Sequence, residues 1–80
     1  MYFVYILQSK KTGKYYTEFS NDPMRRLVEH NAGRTKSLRN QIPLEIIKIE
    51  EYAFYEEARA RERQIKRFKS GEAFKKLVCG

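Results

Sequence analysis

The sequence predicts an α+β fold, in which a small three-stranded antiparallel sheet is flanked by helices in the order β-β-α-β-α-α. Two strand-like segments lie on either side of a short turn, which is the pattern of a β-hairpin. A third strand-like segment follows a stretch with helical periodicity, and two more helical stretches come after it. The 80 residues are expected to form one domain, residues 1–80, that buries about 60% of its unfolded surface.

The predicted hairpin brings two tyrosines onto one face of the sheet. Residues 2–9 form a strand that is apolar on both faces, which is typical of a strand in the middle of a sheet. Residues 15–20 form its partner, and Gly13 supplies the turn between them. Because side chains alternate between faces, any loop with an even number of residues places Tyr5 and Tyr16 on the same face.

The first helix has a well-marked beginning and end. Asn21 or Asp22 can cap it, and Pro23 suits its first turn, where a missing N–H costs nothing. We expect the helix to continue to about Ala32 and to stop at Gly33, which can adopt the left-handed conformation of a helix terminus.

Two faces of this helix have different predicted roles. Its apolar side chains are expected to form a buried stripe of Met24, Leu27 and Val28. Arg26 and His30 are four positions apart, so they lie on one face. Since this face is off the apolar stripe, we expect it to border a groove or solvent.

The remaining elements follow in order along the chain. A polar, basic loop covers residues 33–43 and leads into the third strand, residues 44–52. A long basic helix is predicted for residues 54–69, with a break at residues 70–71. A last short helix, residues 72–78, is expected to bury three apolar side chains, those of Phe74, Leu77 and Val78.

Glu62 is the unusual residue of the long helix. The apolar stripe of that helix consists of Phe54, Ala58, Ile65 and Phe68. Glu62 follows the second of these by four positions and precedes the third by three, so it lies on the stripe. A carboxylate that faces inward is costly unless it is paired, protonated or bound to a metal.

The charge of the chain favours an anionic partner. Its net charge is +7 and its pI is near 9.7, and nucleic acid is the commonest partner of so basic a domain. A basic surface that only keeps the protein in solution is the alternative. The cations of the loop after the first helix are the expected nucleic-acid contacts, namely Arg34, Lys36 and Arg39.

Cysteine content and hydropathy limit the other possibilities. Cys79 is the only cysteine, so no internal disulfide partner exists, and one cysteine with one histidine cannot build a zinc site. We expect a reducing compartment, and hence a cytoplasmic location. No signal peptide is expected, and no apolar run approaches the roughly 20 residues of a membrane span.

Two tripeptides of the hairpin match a known sequence signature. Residues 3–5 read Phe-Val-Tyr and residues 16–18 read Tyr-Thr-Glu, with Tyr5 and Tyr16 eleven positions apart. They resemble the tripeptides Gly-Ile-Tyr and Tyr-Ile-Gly of the GIY-YIG nuclease domain. Such short motifs are weak evidence by themselves. The resemblance therefore also depends on residues in the helices.

The helices match the same family. Arg26 follows Tyr16 by ten positions, and His30 follows Arg26 by four. Glu62 ends an Ala-Arg-Ala-Arg-Glu run, which is similar to the setting of the family's metal-binding glutamate. The resemblance covers nearly the whole chain and is closest to the small stand-alone bacterial group of UPF0213-like proteins.

The resemblance implies hydrolysis of a phosphodiester with one divalent metal, Mg²⁺ or Mn²⁺. It implies that Tyr5, together with His30, acts as the base for the attacking water, and that Tyr16 supports the site by hydrogen bonding. It also implies that Arg26 stabilises the charge growing on the phosphate and that Glu62 holds the metal. DNA is the implied substrate, with RNA as a further option, and sequence specificity is expected to be low because phosphate contacts dominate.

Glu18 modifies the expected site, because it stands where the family has a glycine. A glycine often allows a backbone or a ligand to approach closely. The glutamate adds bulk and negative charge beside Tyr16, where a phosphate is expected. Three outcomes are open: Glu18 repels the substrate, swings away from it, or becomes a second metal ligand.

The same residues also have ordinary structural interpretations. The two tyrosines are consistent with a cross-strand core pair. His30 is consistent with a surface residue near the end of a helix, where a cation is mildly favoured. Arg26 can pair with Asp22 on its own helix, or with Glu62 across a groove.

Three functions follow from these observations. The first is a metal-dependent DNA endonuclease, with branched or single-stranded structures among its candidate substrates. The second is a catalytically impaired nucleic-acid-binding protein that keeps the scaffold and has lost the chemistry at Glu18. The third is an interaction module for an acidic protein partner. The sequence leaves the oligomeric state open.

Overall fold

The structure, a computed structural model, describes residues 1–68 and 71–79. It contains, in chain order, β1 (Tyr2–Ser9), β2 (Tyr15–Ser20), α1 (Pro23–Asn31), β3 (Leu44–Tyr52), α2 (Tyr55–Phe68) and α3 (Glu72–Cys79). This is the predicted order β-β-α-β-α-α. The predicted end of the long helix at Lys69 and its break at Ser70 lie outside the described residues. None of the helices in the described ranges is long and apolar enough to cross a membrane.

The three strands form one antiparallel sheet in the order β2-β1-β3. The apolar faces of β1 are therefore both covered, as predicted for a central strand. In the hairpin, Tyr16 lies opposite Leu7 and Glu18 lies opposite Tyr5, so all four side chains share one face. Gly13 has a φ of 79° in the turn, a conformation that favours glycine.

The sheet separates two small hydrophobic cores. On one face, Val4 and Ile6 of β1 pack against residues of α2 and α3, namely Ala58, Ile65 and Phe74. On the other face, Tyr5 and Leu7 pack with residues from the loop before β3 and from β3 itself, namely Leu38 and Leu44. The tyrosines therefore lie in the second core, and α2 covers the first.

Helix α1 has the predicted ends. The Asp22 side chain accepts a hydrogen bond from the backbone N–H of Arg25 at 3.2 Å, and Pro23 occupies the first turn. Gly33, with a φ of 79°, follows the last turn.

The predicted buried stripe of α1 is wrong at two of its three positions. Met24 and Val28 are 63% and 66% exposed, whereas Leu27 packs against the second core. His30, which we expected at a groove or in solvent, is fully buried. The helix is rotated so that Leu27 and His30, three positions apart, both face the sheet.

Two further segments differ from the prediction, namely the loop after α1 and the start of α2. The loop of residues 33–43 contains a 3₁₀ helix, Lys36–Gln41, which places Leu38 in the second core. Phe54 precedes α2 and is 65% exposed, so it does not belong to the buried stripe of that helix. The other predicted stripe residues, Ala58, Ile65 and Phe68, do pack in the first core.

Candidate active site

Strands β1 and β2 and helix α1 bring five of the predicted site residues to one face of the sheet. Tyr5 lies directly across from Glu18, and Tyr16 is two residues before Glu18 on the same face. Arg26 and His30 come from α1, which packs on this face immediately after β2 ends.

The far end of α1 is held by an amide side chain. Asn31 Oδ1 accepts a hydrogen bond from the Leu44 N–H at 2.8 Å, and Asn31 Nδ2 donates one to the Leu44 carbonyl at 3.1 Å. Leu44 begins β3, so both ends of the helix are fixed relative to the sheet. This explains how a helix with few buried apolar residues keeps its orientation.

Tyr5 is a buried phenol in a negative environment. Its side chain is 1% exposed, and burial, followed by the charge of Glu18, raises the pKa of Tyr5 to about 12. Arg26 and Ser20 lie close enough to its hydroxyl to oppose this shift, although no group among the described residues meets hydrogen-bond geometry with it. At neutral pH Tyr5 is therefore a neutral phenol and a weak base.

His30 connects two polar side chains from different elements. Its Nδ1 lies 2.5 Å from Thr35 Oγ1, and its Nε2 lies 3.2 Å from Glu18 Oε1. The second contact has the distance of an ion pair without the alignment of a hydrogen bond, since Nε2 has no hydrogen-bond partner within the described chain. The result is a polar chain, Thr35–His30–Glu18, that ends beside Tyr5.

Arg26 is oriented from within its own helix. Its Nη1 donates a hydrogen bond to Glu29 Oε1 at 2.8 Å. Asp22, which we considered as a partner for Arg26, lies instead 3.6 Å from the Nε of Arg25. Arg26 nevertheless acts on the site, because its positive charge lowers the pKa of the Tyr5 hydroxyl against the larger effect of burial.

Glu62 is buried, as predicted, but on the helix that covers the opposite face of the sheet. Its side chain is 9% exposed and contacts two cations of its own helix, Lys66 Nζ at 3.2 Å and Arg59 Nε at 3.5 Å. Within residues 1–68 and 71–79, no hydrogen bond or ion pair joins it to Arg26 or to the tyrosines. The pairing with Arg26 that we considered is therefore not formed.

A groove along the edge strand β2 links the two sides of the sheet. It has a volume of about 710 Å³. Tyr16, Glu18 and Thr35 line it on the side of the second core, and Lys66 lines it from α2. Lys66 also contacts Glu62. The groove therefore extends from the sheet face that carries the tyrosines to the lysine that pairs with the buried Glu62 carboxylate.

The residues around Glu62 fit a metal only through one carboxylate. No group of three or more metal-binding side chains occurs among the described residues, so Glu18 and Glu62 do not belong to a shared cluster of that size. Mg²⁺ is often held by one or two carboxylates, with water and phosphate oxygens completing its coordination. Glu62, whose partners Lys66 and Arg59 extend from partly exposed stems, fits such a site as a single protein ligand.

The cations around the site differ in their engagement. The loop residues Arg34, Lys36 and Arg39 are exposed, but Arg39 Nε already donates a hydrogen bond to the Gly33 carbonyl at 2.6 Å. Lys14 and Lys66 line the groove itself. No pattern in the sequence marks these two lysines as site residues.

Three polar residues near the site were also missed, namely Ser20, Glu29 and Thr35. Glu29 could have been found, since it follows Arg26 by three positions on one helix. Ser20 lies on the same face as Glu18 by strand alternation. Thr35 had no signal, because its contact with His30 depends on how the chain turns after α1.

The sheet with its helices and the grouped tyrosine, arginine and histidine define a nuclease domain of the GIY-YIG class. Residues 1–75 match the GIY-YIG catalytic domain, and the chain belongs to this family. Its members form a nuclease family that generally uses a divalent metal.

Within the family the chain is similar to UPF0213 proteins. One from Streptococcus pneumoniae serotype 4 is 35% identical over 68 residues, which cover 84% of this chain and 68% of that protein. One from Halobacterium salinarum is 37% identical over 67 residues, covering 82% and 86%. The solution NMR structure of a UPF0213 protein from Bacillus halodurans matches 99% of this chain and 84% of that chain, with 30% identity and a TM-score of 0.63. The predicted fold and family are confirmed.

Proposed function

We propose that this chain is a metal-dependent endonuclease that hydrolyses phosphodiester bonds in DNA with low sequence specificity. One observation carries the proposal: a phenol from β1 meets a guanidinium and an imidazole from α1 on one sheet face, next to a groove lined by lysines. Membership of a nuclease family supports the reaction class. The net charge of +7 supports a nucleic-acid substrate.

Each side chain has a role that its surroundings support. Arg26 is held by Glu29 and leaves the rest of its planar guanidinium for a phosphate, a group that arginine recognises well. Tyr16, half-buried beside the groove, supports the site by hydrogen bonding. Glu62 holds the metal. A divalent metal held there would supply Lewis-acid stabilisation of phosphate oxygens.

Substrate position is proposed from the groove. A DNA strand along β2 would meet Lys14 and Lys66 on the groove walls, with the loop cations Arg34, Lys36 and Arg39 beside α1. These cations suit contacts with phosphates, so backbone contacts dominate and local DNA structure decides which sites are cut.

The test is a cleavage assay with Mg²⁺ or Mn²⁺ on linear, branched and single-stranded DNA, with matching RNA. Arg26→Ala is expected to lower the rate by about 10²–10³, by analogy with loss of an oxyanion-hole donor. Glu62→Ala is expected to abolish cleavage. Arg25→Ala and Glu57→Ala are matched controls, because they remove the same charges from exposed positions on the same helices. Equal cleavage by Arg26→Ala, Glu62→Ala and wild type would identify a contaminating nuclease and end the proposal.

Glu18 favours a second candidate, a nucleic-acid-binding protein with impaired chemistry. Its carboxylate lies across from Tyr5 and within 3.2 Å of His30 Nε2, where it opposes an incoming phosphate. This candidate predicts salt-sensitive DNA binding without cleavage. It also predicts that Glu18→Gly, which restores the family's glycine, produces cleavage that the wild type lacks.

A further inference from the structure

One face of α2 lies alongside the edge strand β2. At one end, Lys66 of α2 lines the same groove as Tyr15 of β2. At the other end, Arg59 and Tyr55 of α2 contact the ring of Phe19, near the end of the strand. Helix and strand therefore run in opposite directions. The three α2 residues are spaced by four and by seven positions, so they share one face of the helix.

Glu62 occupies the middle of this helix face, and its two cation partners continue the face in both directions. Its carboxylate lies 3.2 Å from Lys66 Nζ and 3.5 Å from Arg59 Nε. Lys66 leads toward the groove, whereas Arg59 leads toward the end of β2. A nucleic-acid strand that leaves the groove past Glu62 therefore meets Arg59 next.

Arg59 lies on a cluster of aromatic rings, and together they form a surface that we call the aromatic platform, namely Tyr2, Phe19, Tyr55 and Arg59. The rings of Tyr2 and Phe19 are stacked, with centroids 5.9 Å apart. The Tyr55 ring meets these two edge-on, at 5.6 and 5.4 Å. The Arg59 guanidinium lies 5.3 Å from the centre of the Phe19 ring and 6.0 Å from that of Tyr55. These are cation–π distances.

The outer part of the aromatic platform faces solvent. Tyr2 and Phe19 pack against the first core, whereas Tyr55 is 48% exposed and the Arg59 side chain is 41% exposed. Apart from its contact with Glu62, the guanidinium has no ion pair or hydrogen bond within residues 1–68 and 71–79. Proteins use aromatic rings together with arginine to stack the bases of single-stranded nucleic acids. The charge and shape of this surface therefore suit a base.

We propose that the aromatic platform binds an unpaired base of the DNA, close to Glu62. Tyr55 is seven residues from Glu62, which is about 10 Å along a helix. At roughly 3.4 Å per nucleotide of a stacked strand, the base lies within about three nucleotides of a phosphate at Glu62. The chain therefore favours DNA with unpaired bases on one side of that phosphate. This inference rests on the nucleic-acid substrate of the proposed function, and not on cleavage itself.

The test compares the binding of single-stranded DNA and of blunt duplex DNA of equal length. Fluorescence anisotropy in EDTA measures both affinities without cleavage. Tyr55→Leu removes the ring but keeps an apolar side chain, and it should weaken single-strand binding by about fivefold or more, as expected for the loss of one base–aromatic stack. Its affinity for the duplex should change by less than about twofold, because paired bases are not available to the platform and phosphate contacts dominate.

Conservative variants separate stacking from charge and from packing. Tyr55→Phe keeps the ring and should keep the single-strand affinity. Arg59→Lys keeps the charge but loses the planar guanidinium, so it should weaken single-strand binding with little effect on the duplex. Phe54→Leu is the matched control and should leave both affinities unchanged. Phe54 is 65% exposed next to Tyr55, and among the described residues it stacks on no other ring.

Cross-linking locates the base directly in the unaltered protein. Single strands that carry one 5-iodouracil are irradiated in complex with the wild type, and mass spectrometry of the digested adduct identifies the linked residue. We expect the adduct at Tyr55. Because this measurement needs no variant, it decides the question even if Tyr55→Leu does not fold, as judged by circular dichroism. Adducts only at residues outside the aromatic platform would overturn the inference.

The binding outcomes separate this inference from the proposed function. Equal single-strand affinity in the wild type, Tyr55→Leu and Arg59→Lys would show that the rings only complete the first core. An equal loss of single-strand and duplex binding in these variants also overturns the inference, and so does an equal loss in Phe54→Leu. If the variants behave as expected and the wild type cuts no DNA with Mg²⁺ or Mn²⁺, the platform stands and the endonuclease proposal fails. If the wild type binds no DNA, both fail.

Discussion

Arg61 and Glu50 join α2 to strand β3 through two charge-assisted hydrogen bonds. Arg61 Nε and Nη2 lie 2.8 and 3.1 Å from the two oxygens of the Glu50 carboxylate. The Tyr52 hydroxyl donates to the same carboxylate at 2.8 Å. Glu50 lies opposite Val4 in the register, so this network is on the face that α2 covers, not on the tyrosine face. Its role is to hold the helix that carries Glu62.

This network should make stability depend on pH at the acid end. The hydrogen bond from Arg61 is the main cause that lowers the pKa of Glu50 below its ordinary 4.5. A carboxyl whose pKa is depressed by folding adds stability above its unfolded pKa, and that stability is lost as pH falls through the folded pKa. Glu50→Gln should therefore lower the free energy of unfolding at pH 7 by about 1–3 kcal/mol, with a smaller loss at pH 3.

Urea unfolding at the two pH values measures this difference. Glu51→Gln is the matched control, because Glu51 is the next residue along the strand and is exposed. The control should change stability by less than about 0.5 kcal/mol. If Glu50→Gln lost the same free energy of unfolding at pH 7 and pH 3, the network would stabilise the fold through the shape of the side chain and not through its charge.

Tyr5 should make stability depend on pH at the alkaline end. Its pKa is raised from 10.0 to about 12, mainly by burial. A raised pKa means that the fold favours the neutral phenol, so the stability is present below pH 10 and is lost as pH rises toward 12. Two pKa units correspond to about 3 kcal/mol. Tyr5→Phe, which has no ionisable group, should lose correspondingly less stability between pH 9 and pH 11.5 than the wild type.

The Tyr5→Phe variant also tests how much the buried Tyr5 hydroxyl contributes to stability. Because the Tyr5 hydroxyl is buried and lacks a hydrogen-bond partner among the described residues, its removal should cost little stability at pH 8. Tyr15→Phe, at a 41% exposed position, provides the comparison. A steeper alkaline loss in Tyr5→Phe than in the wild type would contradict the inferred burial of an un-ionised phenol.

The strands and the helix ends could be predicted from sequence because their signals are local. Alternation and the Gly13 turn fix the hairpin, and its even loop puts Tyr5 and Tyr16 on one face whatever the turn type. Asp22 and Pro23 mark the start of α1 by backbone chemistry alone. None of these features depends on a distant part of the chain.

The buried face of α1 could not be predicted in this way. Hydrophobicity alone predicts that Met24 and Val28 are buried in preference to His30. In the structure Met24 and Val28 are exposed and His30 is buried. The buried imidazole has Thr35 Oγ1 at hydrogen-bond distance from Nδ1, and the Glu18 carboxylate lies 3.2 Å from Nε2. These partners lie in other elements, and no spacing in the sequence reveals them.

The surroundings of Glu62 could be predicted from the sequence only in part. Its place on an apolar stripe predicted its burial, which the structure bears out. Its partners Arg59 and Lys66 are three and four positions away on the same helix, so ordinary helix spacing could have identified them. That spacing could not predict which face of the sheet α2 covers, because the face depends on the path of the chain from β3 into α2.

The lysines of the groove give the last prediction, which concerns where nucleic acid binds. Lys14 and Lys66 line the groove, whereas Lys36 belongs to the exposed loop. If the strand follows the groove, Lys66→Gln or Lys14→Gln should each reduce the slope of log K against log salt by about 1, as expected for the loss of one phosphate contact. Lys66→Gln should weaken binding more, because it also leaves the Glu62 carboxylate without one of its cations.

Fluorescence anisotropy with a labelled single strand over a series of salt concentrations measures these slopes. Lys75→Gln, at an exposed position on α3, should leave the slope unchanged. A normal slope in both groove variants, with a reduced slope in Lys36→Gln, would move the nucleic acid from the β2 edge to the loop. In that case the phosphate would no longer pass between Glu18 and Lys66, and the arrangement of substrate across the sheet edge would have to be abandoned.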